Sequence, residues 1–211
     1  MKRFGRRIPR NASCTVIFDM DGTLLDNERY ETQFWMRDVP EHAARVTGKK
    51  RLKARMRLLV KKHAGKSDWY RPEFFLRELG VPKADVRSLV RKNIGLVKPL
   101  PWAHRTLAKL RKKHRLVLLT NSVDYVAEEK LKHAKLGKYF SRVFTLDSAG
   151  FKGELATFKK VLRAIRAKPE KCVFFTDVSF EAKVARSLGI KTHVVKSFSK
   201  PLPASLKRMP A

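Results

Sequence analysis

The run Val16-Ile17-Phe18-Asp19-Met20-Asp21-Gly22-Thr23-Leu24-Leu25-Asp26 holds two carboxylates two residues apart, just after an apolar stretch and just before a glycine. Carboxylates that close repel unless one holds a proton or a cation sits between them. A hard ion such as Mg2+, which takes oxygen ligands, is the obvious neutraliser. Useful residue types recur at comparable junctions further along: Thr120-Asn121, Lys152 just after a loop, and Asp177 with Glu181 four residues on. A hydroxyl, an ammonium and carboxylates converging on one rim suit a phosphate held beside a metal ion. Each residue also has an ordinary explanation. Asp and Gly are common at strand-to-turn junctions, Thr120 or Asp177 would serve as a helix N-cap, and Glu181 would suit a helix's first turn. Lys152 is one lysine among many. Only their joint order raises them above those explanations.

Such residues converge only if a sheet delivers them. Residues 15–18 are an uninterrupted apolar run, as in a strand buried on both faces, and parallel sheets place their chemistry beyond the carboxyl ends of their strands. From Asn27 to about residue 47 the pattern is helical, with Pro40 expected to break or kink it and Gly48 to end it. Residues 49–63 form a basic helix with Leu52, Met56, Leu59 and Val60 on one face. Lys49, Lys50, Arg51, Lys53, Arg55, Arg57, Lys61 and Lys62 surround that face without one acid. A turn at 65–68 and helices at 72–79 and 83–92 follow, and nothing from 27 to 95 alternates like a strand. Pro99-Leu100-Pro101 reads as a hinge.

Beyond it the rhythm is α/β: helix 102–113, strand 116–119, helix 123–134, strand 143–145, loop 146–150, helix 154–167, strand 172–175, helix 179–188 and strand 192–195. The expected architecture is a Rossmann-like, five-stranded parallel sheet core made of residues 14–26 and 100–196, with an all-helical cap inserted at 27–99. A basic arm at 1–13 and a basic tail at 197–211 flank it. Cys14 precedes Asp19 by five residues, and Cys172 precedes Asp177 by the same five. If both aspartates serve one ion, their strands are neighbours and the two thiols lie near each other, reduced and packed as small hydrophobes.

The four motifs in this order resemble the haloacid dehalogenase superfamily over residues 14–195, most closely its phosphoglycolate phosphatase and β-phosphoglucomutase-like branch. The run D-M-D-G-T-L-L-D and the half from Pro101 to Val195 carry the likeness. The resemblance implies a Mg2+-dependent phosphatase that hydrolyses a phosphate monoester through an aspartyl-phosphate. Asp19 would be the nucleophile, and Asp21 the acid that protonates the leaving oxygen and then the base that activates water. Thr120, the Asn121 amide and Lys152 would bind the phosphoryl group. Asp19, the Asp21 carbonyl and Asp177 would ligate Mg2+, and Glu181 would hold metal waters or orient Lys152. Gly153 follows Lys152 where relatives usually have proline, and Thr176 stands where Gly or Asp often precedes the aspartate. Glu181 stands in place of a frequent Asp, and none of these departures removes a needed group. The second carboxylate, Asp21, favours phosphoryl chemistry over dehalogenation.

Charge is the anomaly of this 211-residue chain, whose 49 Lys+Arg against 19 Asp+Glu give a formal net charge of +30. That excess would draw nucleic acid or other polyanions, unless it only reflects a basic bias of the source organism. Two cysteines without zinc-ligand spacing fit a reducing, cytoplasmic setting. Residues 1–10 are basic but lack the apolar stretch of a secretory signal, and no stretch is apolar enough for a membrane span. The expected partner is a small phosphorylated substrate, with non-specific nucleic-acid binding through the basic surface, no membrane, and a monomer or homodimer. The alternatives are a phosphatase of nucleotides or nucleic-acid ends, and an RNA- or partner-binding protein on an old catalytic core.

Overall fold

The computed structural model describes residues 14–81 and 86–195, so the arm at 1–13 and the tail at 197–211 lie outside the described residues. A five-stranded sheet is built from β1 (Thr15–Phe18), β4 (Arg115–Leu119), β5 (Arg142–Phe144), β6 (Cys172–Thr176) and β7 (Lys191–Val194). Its order is β5-β4-β1-β6-β7, with every pair parallel. Successive strand residues face opposite sides. Val16, Phe18, Leu116, Leu118, Val173 and Phe175 therefore pack on one side, and Ile17, Val117, Leu119 and Phe174 on the other. The first face is covered by α6 (Ala103–Leu110) and α7 (Asp124–His133) through Leu107, Val126, Ala127 and Leu131. The second is covered by α9 (Leu155–Ile165), whose Phe158, Val161, Leu162 and Ile165 recur at helical spacing, and by α10 (Ser179–Ser187).

Between β2 (Leu25–Asp26) and β3 (Lys98–Pro99) the chain makes α1 (Glu28–Gln33), α2 (Val39–Thr47), α3 (Leu52–His63), α4 (Pro72–Glu78) and α5 (Val86–Lys92). These form the helical cap, and Phe34, Val39, Ala43, Met56, Phe75 and Leu76 join the apolar cluster of the first sheet face. The helix expected at 83–92 is described from Val86 on. Leu52 and Met56 of α3 are buried, while Arg51, Lys53, Arg55, Arg57, Lys61 and Lys62 are exposed.

The structure departs from the expectations in several places. Pro40 does not break its helix: a π-helical turn at Phe34–Asp38 precedes it, and Pro40 sits in the first turn of α2. Proline has no N–H to donate, and a widened turn lets the chain continue past it. At the expected hinge the chain also forms an antiparallel pair, Leu25 with Pro99 and Asp26 with Lys98, where it leaves for the cap and returns. Two residues per strand are too few to show alternation. The loop at 146–150 contains α8 (Leu146–Ala149), capped reciprocally by Thr145 and Ser148.

The expected neighbourhood of β1 and β6 holds, but Thr15 rather than Cys14 is level with Cys172, and this one-residue offset puts the two thiols on opposite faces of the sheet. Both thiols are free and buried. Cys14 Sγ lies 3.1 Å from His114 Nδ1, and Cys172 donates to the Lys168 carbonyl at 3.3 Å.

Candidate active site

The central strand β1 carries Asp19 beyond its last residue, and the ladder extends to it, because the Asp19 N–H donates to the Phe175 carbonyl at 2.8 Å. The Asp19 side chain is buried. Its Oδ1 accepts the Met20 N–H at 2.7 Å and lies 2.5 Å from Lys152 Nζ. Oδ2 has no donor among the described residues and is not sealed from the cavity that Asp19 lines. One oxygen is fixed and the other is open to a ligand.

Lys152 and Glu181 are each only 1% exposed. The ammonium bridges Asp19 and Glu181, 2.9 Å from Glu181 Oε2. Glu181 also accepts from Thr176 Oγ1 at 2.8 Å and from Asn121 Nδ2 at 2.9 Å. Asn121 Oδ1 in turn accepts the Lys152 N–H at 2.9 Å. Thus Thr176 and the Asn121 side chain fix Glu181, and Glu181 fixes Lys152. Of its two expected roles, Glu181 has the contacts for orienting Lys152. Burial works against the Lys152 charge, but Asp19 and Glu181 outweigh it and raise its pKa. Burial likewise pushes the Asp19 carboxyl well above its ordinary value, opposed by Lys152 and assisted by Glu181 and Asp177.

Thr120 is buried at the end of β4, tied in by its own N–H to the Phe144 carbonyl at 2.9 Å. Its Oγ1 accepts the Ser122 N–H at 3.1 Å, and both Thr120 and Asn121 line the cavity. Asp177 is exposed at the rim and accepts from Thr23 Oγ1 at 3.3 Å. Gly22 has φ +69, and a Cβ there would stand 2.1 Å from Asp177 Oδ2. Glycine at this position gives both the turn and the space for that carboxylate.

Asp21 holds a contact that the sequence did not announce. Its Oδ2 accepts from Ser122 Oγ at 3.0 Å and its Oδ1 lies 3.0 Å from Lys130 Nζ. Lys130, 1% exposed, also reaches Glu31 Oε1 of α1 at 2.7 Å, and it lies 5.1 Å from the Tyr30 ring centre. Asn27 and Trp35 donate to the same Glu31, the latter at 2.5 Å. Burial opposes the Lys130 charge, while Asp21 and Glu31 overcome it and raise its pKa. One buried ammonium therefore ties Asp21 to the cap. A signal was present: Lys130 falls on the α7 stripe of Val126, Ala127, Leu131 and Ala134, where a lysine must be buried. Tyr70, just before α4, also lines the cavity, and burial first, then Glu181, pushes its hydroxyl up to about 12.

Mg2+ fits these donors. Among the described residues no three His, Cys, Asp or Glu side chains are grouped so as to hold a metal ion by themselves. Asp19 and Asp177 both line the cavity and would offer two carboxylates. Mg2+ characteristically binds one or two carboxylates and keeps its other positions for water and substrate phosphate.

The haloacid dehalogenase-like hydrolase family model matches residues 15–189, and the chain belongs to that family. It is accordingly a hydrolase. Fructose-1-phosphate phosphatase YqaB of Escherichia coli (strain K12) is 27% identical to it over 83% of this chain and 92% of that protein. GMP/IMP nucleotidase YrfG of the same organism is 24% identical, covering 84% and 80%. Among solved structures, a HAD phosphatase from Thermococcus onnurineus superposes with a TM-score of 0.77 at 24% identity, covering 87% of this chain and 86% of that one. A HAD family enzyme from Bacteroides thetaiotaomicron, in complex with magnesium and inorganic phosphate, gives 0.63 at 20% identity, covering 87% and 94%. Among the described residues no helix is long and apolar enough to cross a membrane.

Proposed function

We propose that this protein is a Mg2+-dependent phosphatase that hydrolyses a small phosphate monoester through an aspartyl-phosphate on Asp19. The observation that carries this reading is the divided Asp19 carboxylate, with Oδ1 held by Lys152 and Met20 and Oδ2 open to the cavity. Oδ2 attacks phosphorus, the bond from phosphorus to the leaving oxygen breaks, and Asp21 gives that oxygen its proton. Asp21 then takes a proton from water, the water oxygen bonds to phosphorus, and the bond to Asp19 breaks to release phosphate. Lys152, the Thr120 hydroxyl and the Asn121 N–H stabilise the phosphoryl oxygens. Held by Asp19, the Asp21 carbonyl and Asp177, Mg2+ would supply the further positive charge that lets a carboxylate approach a phosphate dianion. Steady-state phosphate release from a panel of esters, with Mg2+ or with excess chelator, tests the reading. Full activity in chelator would remove it.

The raised Asp19 pKa gives a second test. A carboxyl whose folded pKa exceeds its unfolded value takes up a proton on folding. Its contribution to stability is present below the unfolded pKa and is lost as pH rises through the folded one. The metal-free protein is therefore expected to lose melting temperature as pH rises from the ordinary carboxylate range towards neutrality. Mg2+, which displaces that proton, is expected to restore it by an amount that grows with pH. Thermal scans across pH with and without Mg2+ check this, and a Mg2+ shift that shrinks as pH rises would contradict it.

The nucleic-acid-end alternative rested on the basic surface, and the geometry gives it no support at the site. Of α3, only Val60 lines the cavity, whereas Arg51, Arg55 and Arg57 are exposed away from it. Reversing those three arginines to Glu is expected to leave kcat/KM for small esters within about twofold. Heparin or duplex DNA retention should weaken, and its salt dependence should flatten, since each phosphate contact contributes a slope of about −0.9 in log K on duplex DNA. Unchanged retention with impaired turnover would mean that this helix serves the site. The reading as a binding protein on an old core is disfavoured because Asp19, Asp21, Lys152 and Asp177 all stand around one cavity.

A further inference from the structure

The cavity above Asp19 restricts what can depart with the leaving oxygen. Its volume of about 450 Å³ lies between the strand ends and the cap, within the range of small-molecule sites. Its charge is opposite to that of the chain as a whole. Six carboxylates, of Asp19, Asp21, Glu28, Glu31, Asp177 and Glu181, line it against two ammoniums, Lys130 and Lys152, and no other Lys or Arg among the described residues does. Both ammoniums are already engaged, Lys152 with Asp19 and Glu181, and Lys130 with Asp21 and Glu31. Glu28, at the start of α1, has no hydrogen-bond or ion-pair partner among the described residues. A substrate tail bearing a carboxylate or a second phosphate would meet acids with no free cation to receive it.

The cap side of the same cavity is aromatic. Trp35 lies edge-on to Phe34 and Phe75, with its N–H on Glu31, and Tyr70 packs towards Phe151. Trp69 differs: it is half-buried and lines the cavity, yet its side chain has no ring or hydrogen-bond partner among the described residues. An aromatic ring that lines the cavity without a ring or hydrogen-bond partner is a candidate stacking platform for a flat ring, and every nucleobase has a face to stack. A free carboxylate nearby accepts from ring N–H groups or sugar hydroxyls.

Resting on the phosphatase reading, we infer that the leaving group is uncharged and carries a flat ring, and that the substrate is a nucleoside 5′-monophosphate stacked on Trp69. The surplus positive charge of the chain plays no part in this choice.

The test reads binding and turnover separately. Calorimetry on the Asp19→Asn protein with Mg2+ compares AMP, GMP, 4-nitrophenyl phosphate, glycerol 3-phosphate, 2-phosphoglycolate and fructose 1,6-bisphosphate. AMP and GMP are expected to bind at least tenfold more tightly than glycerol 3-phosphate, and the two compounds with anionic tails more weakly than it. 4-Nitrophenyl phosphate falls between, because it has the ring without the sugar. Adding Trp69→Ala should reduce the AMP-to-glycerol-phosphate ratio by at least tenfold, while Trp69→Phe retains most of it. Glu28→Gln should narrow the gap between 2-phosphoglycolate and glycerol 3-phosphate. Equal or tighter binding of 2-phosphoglycolate than of AMP overturns the inference, as does an unchanged ratio in a folded Trp69→Ala protein. Wild-type protein that binds in the expected order but turns over no ester would refute the phosphatase reading and uphold the pocket. Turnover without any preference for ring-bearing esters would do the reverse.

Discussion

Asp19→Asn is expected to lower phosphatase turnover by roughly 10^4-fold or more, the scale on which removal of a nucleophile acts. The amide keeps the size and the Oδ1 contacts, so Lys152 still lies on Glu181 and the far-UV spectrum should not change. It cannot form the acyl phosphate. Stability should move the other way. Wild-type Asp19 is a carboxylate whose charge is opposed chiefly by burial and further by repulsion from Glu181 and Asp177, against the attraction of Lys152. The neutral amide removes that repulsion, so the metal-free variant should melt at or above the wild-type temperature. Phosphate release and thermal scans check both parts. Substantial activity in a folded Asp19→Asn protein would place the chemistry elsewhere.

Lys152→Met is expected to damage both fold and function. The lysine is the only cation the described residues place on Asp19 or Glu181, and both carboxylates are buried. Removing one member of a buried ionic group leaves uncompensated charge, which costs about 3–5 kcal/mol. Loss of an electrostatic stabiliser at the phosphoryl group should reduce kcat by about 10²–10³-fold where the protein is folded. Asp19→Asn in the same chain should recover part of the lost stability, because it removes one of the stranded charges. Urea denaturation of both single variants and the double variant gives this coupling directly. Strictly additive effects of the two substitutions would mean that Lys152 and Asp19 do not stabilise each other.

The parts of the site carried by strand ends were legible because a strand end is a local event. Asp19, Thr120 and Asp177 each follow an apolar run, and parallel strands bring such ends to one rim. Lys152 was legible only through the order of the motifs, since it follows a loop and short helix rather than a strand. What escaped was whatever depends on the other side of the cavity. Lys130 looks like one of many helix lysines until the stripe of α7 is counted, and no local pattern pairs it with Glu31, 99 residues away. Tyr70 and Trp69 likewise gain meaning only when the cap is laid over the sheet, and Ser122 only when β1 and β4 stand side by side.

The placing of Asp19, Asp21 and Asp177 beyond strand ends was legible in the sequence alone, together with the alternation of strand and helix that builds the core and the helical character of the insert. All of these follow from short-range periodicity and from residue types that have few other uses in that order. The tertiary structure decided where charge acts. The sequence sums to +30, but folding turns the α3 cations outward and leaves the cavity with two engaged ammoniums among six carboxylates. A composition sums charges without regard to position. A folded chain must instead keep most cations in water, where solvation is cheapest, and bury only those that a carboxylate meets directly.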